Sequence, residues 1–189
     1  MKKYLIILLG ALTLSSCGYN SMVEKDEGIA KAWASVETQY QRRSDLIPNL
    51  VNTVKGYADF EQETLTQVVE ARSKATGITL SADELTPENI AKFQEAQAQL
   101  SGALSRLLVS VERYPDLKAS TQFTQLQAQL EGTENRIIVA RDKFNESVRD
   151  YNTYIRKFPK NIVAGIFDFD QKGYFESDAG TENAPKVEF

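Results

Sequence analysis

Residues 29–57 read IAKAWASVETQYQRRSDLIPNLVNTVKGY, and their periodicity decides the fold. Steps of three and four from Ile29 reach Trp33, Val36, Tyr40, Arg43, Ile47, Leu50, Val54 and Tyr57; eight of these nine positions are apolar or aromatic. At 3.6 residues per turn they share one face. The segment therefore predicts one long amphipathic helix with Arg43 as the single charge in its stripe. Pro48 deletes a backbone hydrogen bond and crowds the preceding turn. Because the stripe keeps its phase on both sides, the expectation is a kink and not an end.

The pattern continues downstream. Gly56 and the Asp59-Phe60 region suggest a bend, after which Leu65, Val68, Val69, Arg72 and Ala75 form a shorter helix stopping near Gly77. Residues 78–86 read as a loop, and Thr86-Pro87 as a helix start, with Thr as cap and Pro in the first turn. Ile90, Phe93, Gln97, Leu100, Leu104, Leu107, Val111 and Tyr114 carry a third stripe up to Pro115. A fourth, the longest, runs through Ala119, Phe123, Leu126, Leu130, Thr133, Ile137, Ala140, Phe144, Val148, Tyr151, Ile155 and Phe158, with a stutter at Phe144. Four narrow stripes with short connections predict an all-α fold, an antiparallel up-down four-helix bundle over residues 17–158 with long first and fourth helices. Residues 159–189 lack helical phase yet carry Phe167, Phe169, Tyr174, Phe175 and Phe189. An irregular C-terminal tail lying in a groove of the bundle is expected, since open aromatics at that density would be sticky.

Composition removes most enzyme classes. The 189 residues contain no histidine, which eliminates Ser-His-Asp and Cys-His catalysis, His-ligated zinc and the Glu-x-x-His di-iron bundle together. One cysteine allows neither an internal disulfide nor a Cys-x-x-Cys site. With 22 Lys+Arg against 26 Asp+Glu the net charge is -4, which argues against a nucleic-acid partner. No metal is expected. Asp168-Phe169-Asp170 with Gly173 imitates the start of a calcium loop, but the twelfth position is Ala179 where a bidentate Glu is required.

The N-terminus reads as an address. Lys2 and Lys3 precede an apolar run from Tyr4 to Leu14, which rises only about 16 Å as a helix, too short to span a bilayer core comfortably. Residues 1–16 are thus a signal peptide. Leu14-Ser15-Ser16-Cys17 resembles the bacterial lipoprotein box, which makes Cys17 the lipidated first residue of the mature chain. Several acyl chains exceed the two signals that stable anchoring needs. Loss of Lys2 and Lys3 leaves 20 basic residues against 26 acidic ones, a net charge of -6, so acyl chains and not bulk charge must do the holding. No acid lies between Gly18 and Met22. By resemblance to lipoprotein sorting rules, this expectation places the anchor in the outer membrane, facing the periplasm.

Several polar residues stand out. Arg42, Arg43, Asp45 and Asn49 fall within two helical turns beside the first stripe. One reading is a buried network, with Arg43 or Arg72 paired to Asp45, Glu61 or Glu134 across helices and covering the carbonyl freed by Pro48. The other is a recognition patch for a partner helix or an anionic envelope ligand. Asn145 and Asn152 are seven apart on one helix face near Arg141, Arg149 and Arg156, where they would set register or cover the edge of the stripe.

Ala32-Trp33-Ala34, then Arg42-Arg43-Ser44-Asp45-Leu46-Ile47-Pro48-Asn49-Leu50-Val51, then Val54-Lys55-Gly56-Tyr57-Ala58 with Glu61 resemble the LemA family of bacterial envelope proteins. The likeness continues through Ala71-Arg72, Glu134-Asn135-Arg136-Ile137, Tyr151-Asn152, Phe158-Pro159 and Tyr174-Phe175-Glu176. It implies a helical bundle outside the membrane, tethered by its N-terminus and needing no cofactor, but supplies no biochemical activity. Family members usually open on a longer apolar span near a Tyr-Asn pair. Here Tyr19-Asn20 matches the pair while Cys17 precedes it, so a lipid anchor substitutes for the span.

The functional expectation is a non-enzymatic, membrane-anchored scaffold or adaptor for another envelope protein. The alternatives are a carboxylate-only hydrolase of envelope glycan or peptidoglycan, and a small-ligand sensor bundle. Two acids can suffice for glycoside hydrolysis. Carboxylates such as Glu61 and Glu63 lie on a solvated helix surface, however, without a cleft to shift their pKa.

Overall fold

The structure, a computed structural model, describes the backbone of residues 2–56 and 61–176 and the side chains from residue 18 onward. These residues form α1 (Lys2–Lys55), α2 (Gln62–Thr76), a 3-10 turn (Ala82–Glu84), α3 (Pro87–Val111), α4 (Pro115–Lys118), α5 (Thr121–Arg156) and α6 (Lys160–Ile166). No strand occurs among the described residues, and the fold is all-helical. Helix α1 runs along α5, α2 along α3, and α1 also touches α2 and α6.

The stripes become the core. On α1, Ile29, Trp33, Val36, Tyr40, Arg43, Ile47, Leu50 and Val54 are all buried, and burial extends back to Met22. Tyr57 lies outside the described residues. Helix α1 passes Pro48 without a break. On α2 the buried set is Leu65, Val68, Ala71 and Ala75, and Val69 faces solvent: Ala71, not Val69, occupies the inward turn. Thr86 caps α3 as its Oγ1 accepts from the Asn89 amide at 3.3 Å, with Pro87 in the first turn. In the loop before it, the Ser81 amide and hydroxyl both donate to Glu84, which lowers the Glu84 carboxyl below its ordinary range.

Two predicted ends move. Between α3 and α5 the chain makes the extra turn α4, whose Leu117 is fully buried, so that Ala119 is left exposed. At the far end α5 stops at Arg156, which strands Phe158 in solvent instead of in the stripe. The tail also differs from a wholly irregular strand. It opens with α6, closed where Asp168 takes a left-handed φ of 55° and the Phe169 amide donates to the Ala164 carbonyl at 3.0 Å. Asp tolerates that conformation better than most residues. The hydrophilic stretch from Glu176 to Ala184 reads as loose, but Glu176 itself is held by Gln94 and Arg141, and the rest of the stretch, like Phe189, lies outside the described residues.

Two apolar clusters make up the interior. One joins α1 residues 47–54 to α2, to α3 residues 100–111, to Leu117 and to Phe123, Leu126 and Leu130 of α5. The other joins Met22 through Tyr40 of α1 to Leu85, Ile90, Phe93, Ile137 through Ile155 of α5, Ala164 and Phe175.

Candidate functional site

A polar layer lies between the two apolar clusters. Arg43 falls between Tyr40 and Ile47 on α1, Gln97 between Phe93 and Leu100 on α3, and Thr133 and Glu134 between Leu130 and Ile137 on α5. Arg43 is 2 % exposed, yet it is charged. Its Nη1 donates to Glu134 Oε2 at 3.0 Å and Ser101 Oγ at 2.8 Å, and its Nη2 to Gln97 Oε1 at 2.7 Å. The guanidinium lies 5.1 Å from the Tyr40 ring, and its Nε has no partner. Removing such a cation from water costs several kcal/mol, which these bonds only partly repay. A slip of any one helix would leave Arg43 against hydrocarbon.

Arg72 has a different task. Pro48 has no amide hydrogen, so the Ser44 carbonyl four residues earlier loses its helical donor. Arg72 Nε, reaching across from α2, donates to that carbonyl at 2.9 Å. The structure places Asp45, Asn49 and Arg42 elsewhere: all three are exposed, Asp45 accepting from Gln41 Nε2 at 2.7 Å and Arg42 lining a shallow groove with Arg136. Glu61 meets Arg113 at 2.8 Å on the surface. Thus Arg43 and Glu134 meet in the polar layer, Arg72 binds the Ser44 carbonyl apart from it, and Arg42, Asp45 and Asn49 join neither. A coupled prediction follows from the proline. Arg72→Met should cost about 1–2 kcal/mol through the orphaned carbonyl, and clearly less in a Pro48→Ala background, where residue 48 regains an amide. A double-mutant denaturation cycle measures that difference.

The second constellation holds the tail, which lies against the bundle at Phe175 as its aromatic content predicts. Asn145 and Asn152 do not cover the edge of the stripe; they hold the tail. The Asn152 carboxamide donates to the Lys172 carbonyl at 2.9 Å and accepts from its amide at 3.0 Å. Asn145 treats Phe175 the same way at 2.9 Å each, and Gln94 of α3 does so to Glu176 at 2.9 and 3.0 Å. Arg141 Nη2 adds a bond to the Glu176 carbonyl at 2.7 Å. Each carboxamide offers the donor and acceptor that a neighbouring strand would offer. Residues 172–176 are thereby paired as if in a sheet, although no strand lies beside them.

Phe175 is the anchor of this strap. Its ring sits 5.5 Å from Phe144, 6.1 Å from Trp33 and 6.3 Å from Phe93, and the Trp33 indole Nε1 donates to the Leu80 carbonyl at 2.9 Å. Gly173 permits the approach: its amide donates to Leu85 at 2.8 Å, and a Cβ there would stand 2.7 Å from Pro87 Cα. Gly173→Ala is accordingly expected to lift the strap while the long helices stay folded. Hydrogen exchange at the amides of residues 172–176 should rise by at least the ~10-fold that about 1.4 kcal/mol of lost local stability implies. The readable signal was the Asn145–Asn152 spacing facing an aromatic tail; nothing in sequence marked Gln94.

Beside the strap lies an open cleft of about 690 Å³ lined by Ala91, Gln94, Asn152, Lys172 and Tyr174 among others. Lys172 Nζ is engaged by the Ala82 carbonyl at 3.1 Å and Asp26 at 3.3 Å. Partial burial pushes the Glu37 carboxyl above its ordinary range, with the Trp33 indole drawing it back. Tyr151 is pushed up by burial and by the Asp26 and Asp170 carboxylates. No group of His, Cys, Asp and Glu able to hold a metal occurs among the described residues.

Paired long helices, a buried polar layer and a self-clamped C-terminal strap define an all-helical protein closed by its own tail. Residues 32–189 match the model of the LemA family, and the chain belongs to that family. It is 25 % identical over 183 residues to Protein LemA of Metamycoplasma hominis, covering 94 % of this chain and 80 % of that protein. It is 27 % identical over 191 residues to Magnetosome protein MamQ of Magnetospirillum gryphiswaldense, covering 92 % and 70 %. Magnetosome protein MamQ 2 of Paramagnetospirillum magneticum is 26 % identical over 175 residues, covering 84 % and 64 %.

Proposed function

We propose that this LemA-family protein is a non-enzymatic scaffold of the cell envelope, held to the outer membrane on its periplasmic side by a lipid on Cys17. Its body is an antiparallel four-helix bundle of α1, α2, α3 and α5 that presents its faces to another envelope protein. One observation carries the reading: the helix that runs through Cys17 is the same helix whose residues from Met22 to Val54 supply the core. From Cys17 to Lys55, at 1.5 Å per residue, it extends about 58 Å. A lipid on Cys17 would be coupled to the body without a flexible joint. The opposite chain order in which α1 and α5 enter the two apolar clusters supports the antiparallel arrangement. The Arg43–Glu134 layer and the Arg72 contact serve register within that bundle and not recognition of a ligand.

The test is acyl labelling and crosslinking in intact envelopes, comparing wild type with Cys17→Ser. The expected result is loss of label, an uncleaved or mis-sorted precursor, unchanged helix content and loss of a dominant crosslinked partner. Label persisting in Cys17→Ser refutes the anchor, and the absence of any partner in either form refutes the adaptor role. The cleft beside the strap favours one further reading, a small-ligand sensor, since its volume falls in the range of ligand sites.

A further inference from the structure

Large apolar side chains stand in the open at one end of the molecule. Phe158 is 80 % exposed, Ile166 67 %, Phe167 55 % and Ile162 54 %. They belong to one short stretch from the end of α5 to the turn after α6. Ile162 and Ile166 are four apart and so share a face of α6, while Ala164 is buried and Val163 packs against the core. Helix α6 is thus apolar on the face it turns away from the protein as well as on the face it buries. A scattered exposed apolar residue needs no explanation, but several together do.

The position of this patch identifies its occupant. Tyr19 of α1 packs edge-on against Phe167 at 4.9 Å and Phe169 at 5.7 Å. Tyr19 is two residues beyond Cys17, about 3 Å along a helix axis. The exposed residues therefore lie where the N-terminal segment enters the body. Basic side chains flank them: exposed Arg156 and Lys157 precede α6, and Lys160 and Lys25 lie over the Tyr154 ring at 3.6 and 5.5 Å. Asp168, Asp170, Glu24 and Glu27 are also at this end, so the local charge is mixed and the attraction must be chiefly apolar. Phe, Ile and Tyr inserted to the headgroup level, with long cationic side chains reaching outward, is the composition of an interfacial membrane contact.

We infer that Phe158, Ile162, Ile166 and Phe167 form a membrane-interface dock that seats the body on the lipid surface holding its N-terminal segment. The inference rests on the membrane attachment proposed above. It adds that the body is not merely tethered: its orientation to the bilayer is set by a second contact that buries α6.

The experiment uses the full chain, purified with its native N-terminus, in vesicles of phosphatidylethanolamine and phosphatidylglycerol. Phe158→Trp places a reporter at the most open position without touching the core, and Trp33, the only native tryptophan, is buried and serves as the background. Flotation reads attachment, and quenching by lipids brominated near the headgroup reads docking. The expected result is that wild type and Phe158→Trp both float, and that Phe158→Trp is quenched several-fold more than wild type. Ile162→Ser with Ile166→Ser in that background should still float but lose the quenching. Protein that floats with no added quenching overturns the dock and leaves the attachment standing; if it then crosslinks to itself through α6, the patch belongs to a second copy. Protein that does not float overturns both.

Discussion

Trp33→Ala is expected to destabilise the protein by about 3–5 kcal/mol, the range for removing a buried large aromatic side chain. Trp33 is 2 % exposed and meets Phe93 at 5.1 Å, Phe144 at 5.5 Å and Phe175 at 6.1 Å, so its loss opens a cavity bounded by α1, α3, α5 and the strap at once. The same change orphans the Leu80 carbonyl. Because the substitution removes the only tryptophan, unfolding is followed in urea by far-UV circular dichroism. A loss below about 1 kcal/mol is what surface positions give and would place Trp33 outside the core. The companion signature is that the amides of residues 172–176 should exchange faster than those of the helices, since Phe175 loses its stacking partner.

Glu134→Ala is the second. It removes the only carboxylate among the described residues within ion-pair distance of Arg43 and leaves a 2 % exposed cation with neutral acceptors. Breaking a fully buried pair costs about 3–5 kcal/mol. Glu134 is itself about half exposed, so water can reach that side of the guanidinium, and about 2–3 kcal/mol is expected here. Glu134→Gln keeps an acceptor and should cost less. Arg43→Met should be milder than the loss of Glu134, because an apolar side chain of similar length removes the charge that needs compensation. This order, with Glu134→Ala the worst, belongs to a layer that sets register. An exposed recognition patch would instead leave stability unmoved in all three variants.

The long helices were legible because their apolar positions repeat with the helical period, and burial follows that period from Ile29 to Val54 and from Phe123 to Ile155. Their ends were less so. Phe158 and Ala119 keep the phase of the fourth stripe, yet the chain leaves the helix at Arg156 and enters it only at Thr121. Val69 lost its place to Ala71 because of phase: the buried line Leu65, Val68, Ala71, Ala75 steps by three and four, and Val69, next to Val68, is turned about 100° away from it. The candidate polar residues divided according to which side of the stripe they occupy. Arg43 is in phase and buried; Arg42, Asp45 and Asn49 are out of phase and wet.

What the amino-acid order determined by itself was the helical class, the stripes, the Thr86-Pro87 start and the family, all of them local or periodic properties carried by near neighbours in the chain. Only the tertiary structure decided which of the possible acids meets Arg43, that Arg72 repairs the backbone at Pro48, and that Gln94, Asn145 and Asn152 grip the tail. These contacts join residues 20 to 91 positions apart. A single carboxamide or carboxylate is chemically equivalent to many others along the sequence, and the packing of the helices selects which of them stands within about 3 Å of a partner.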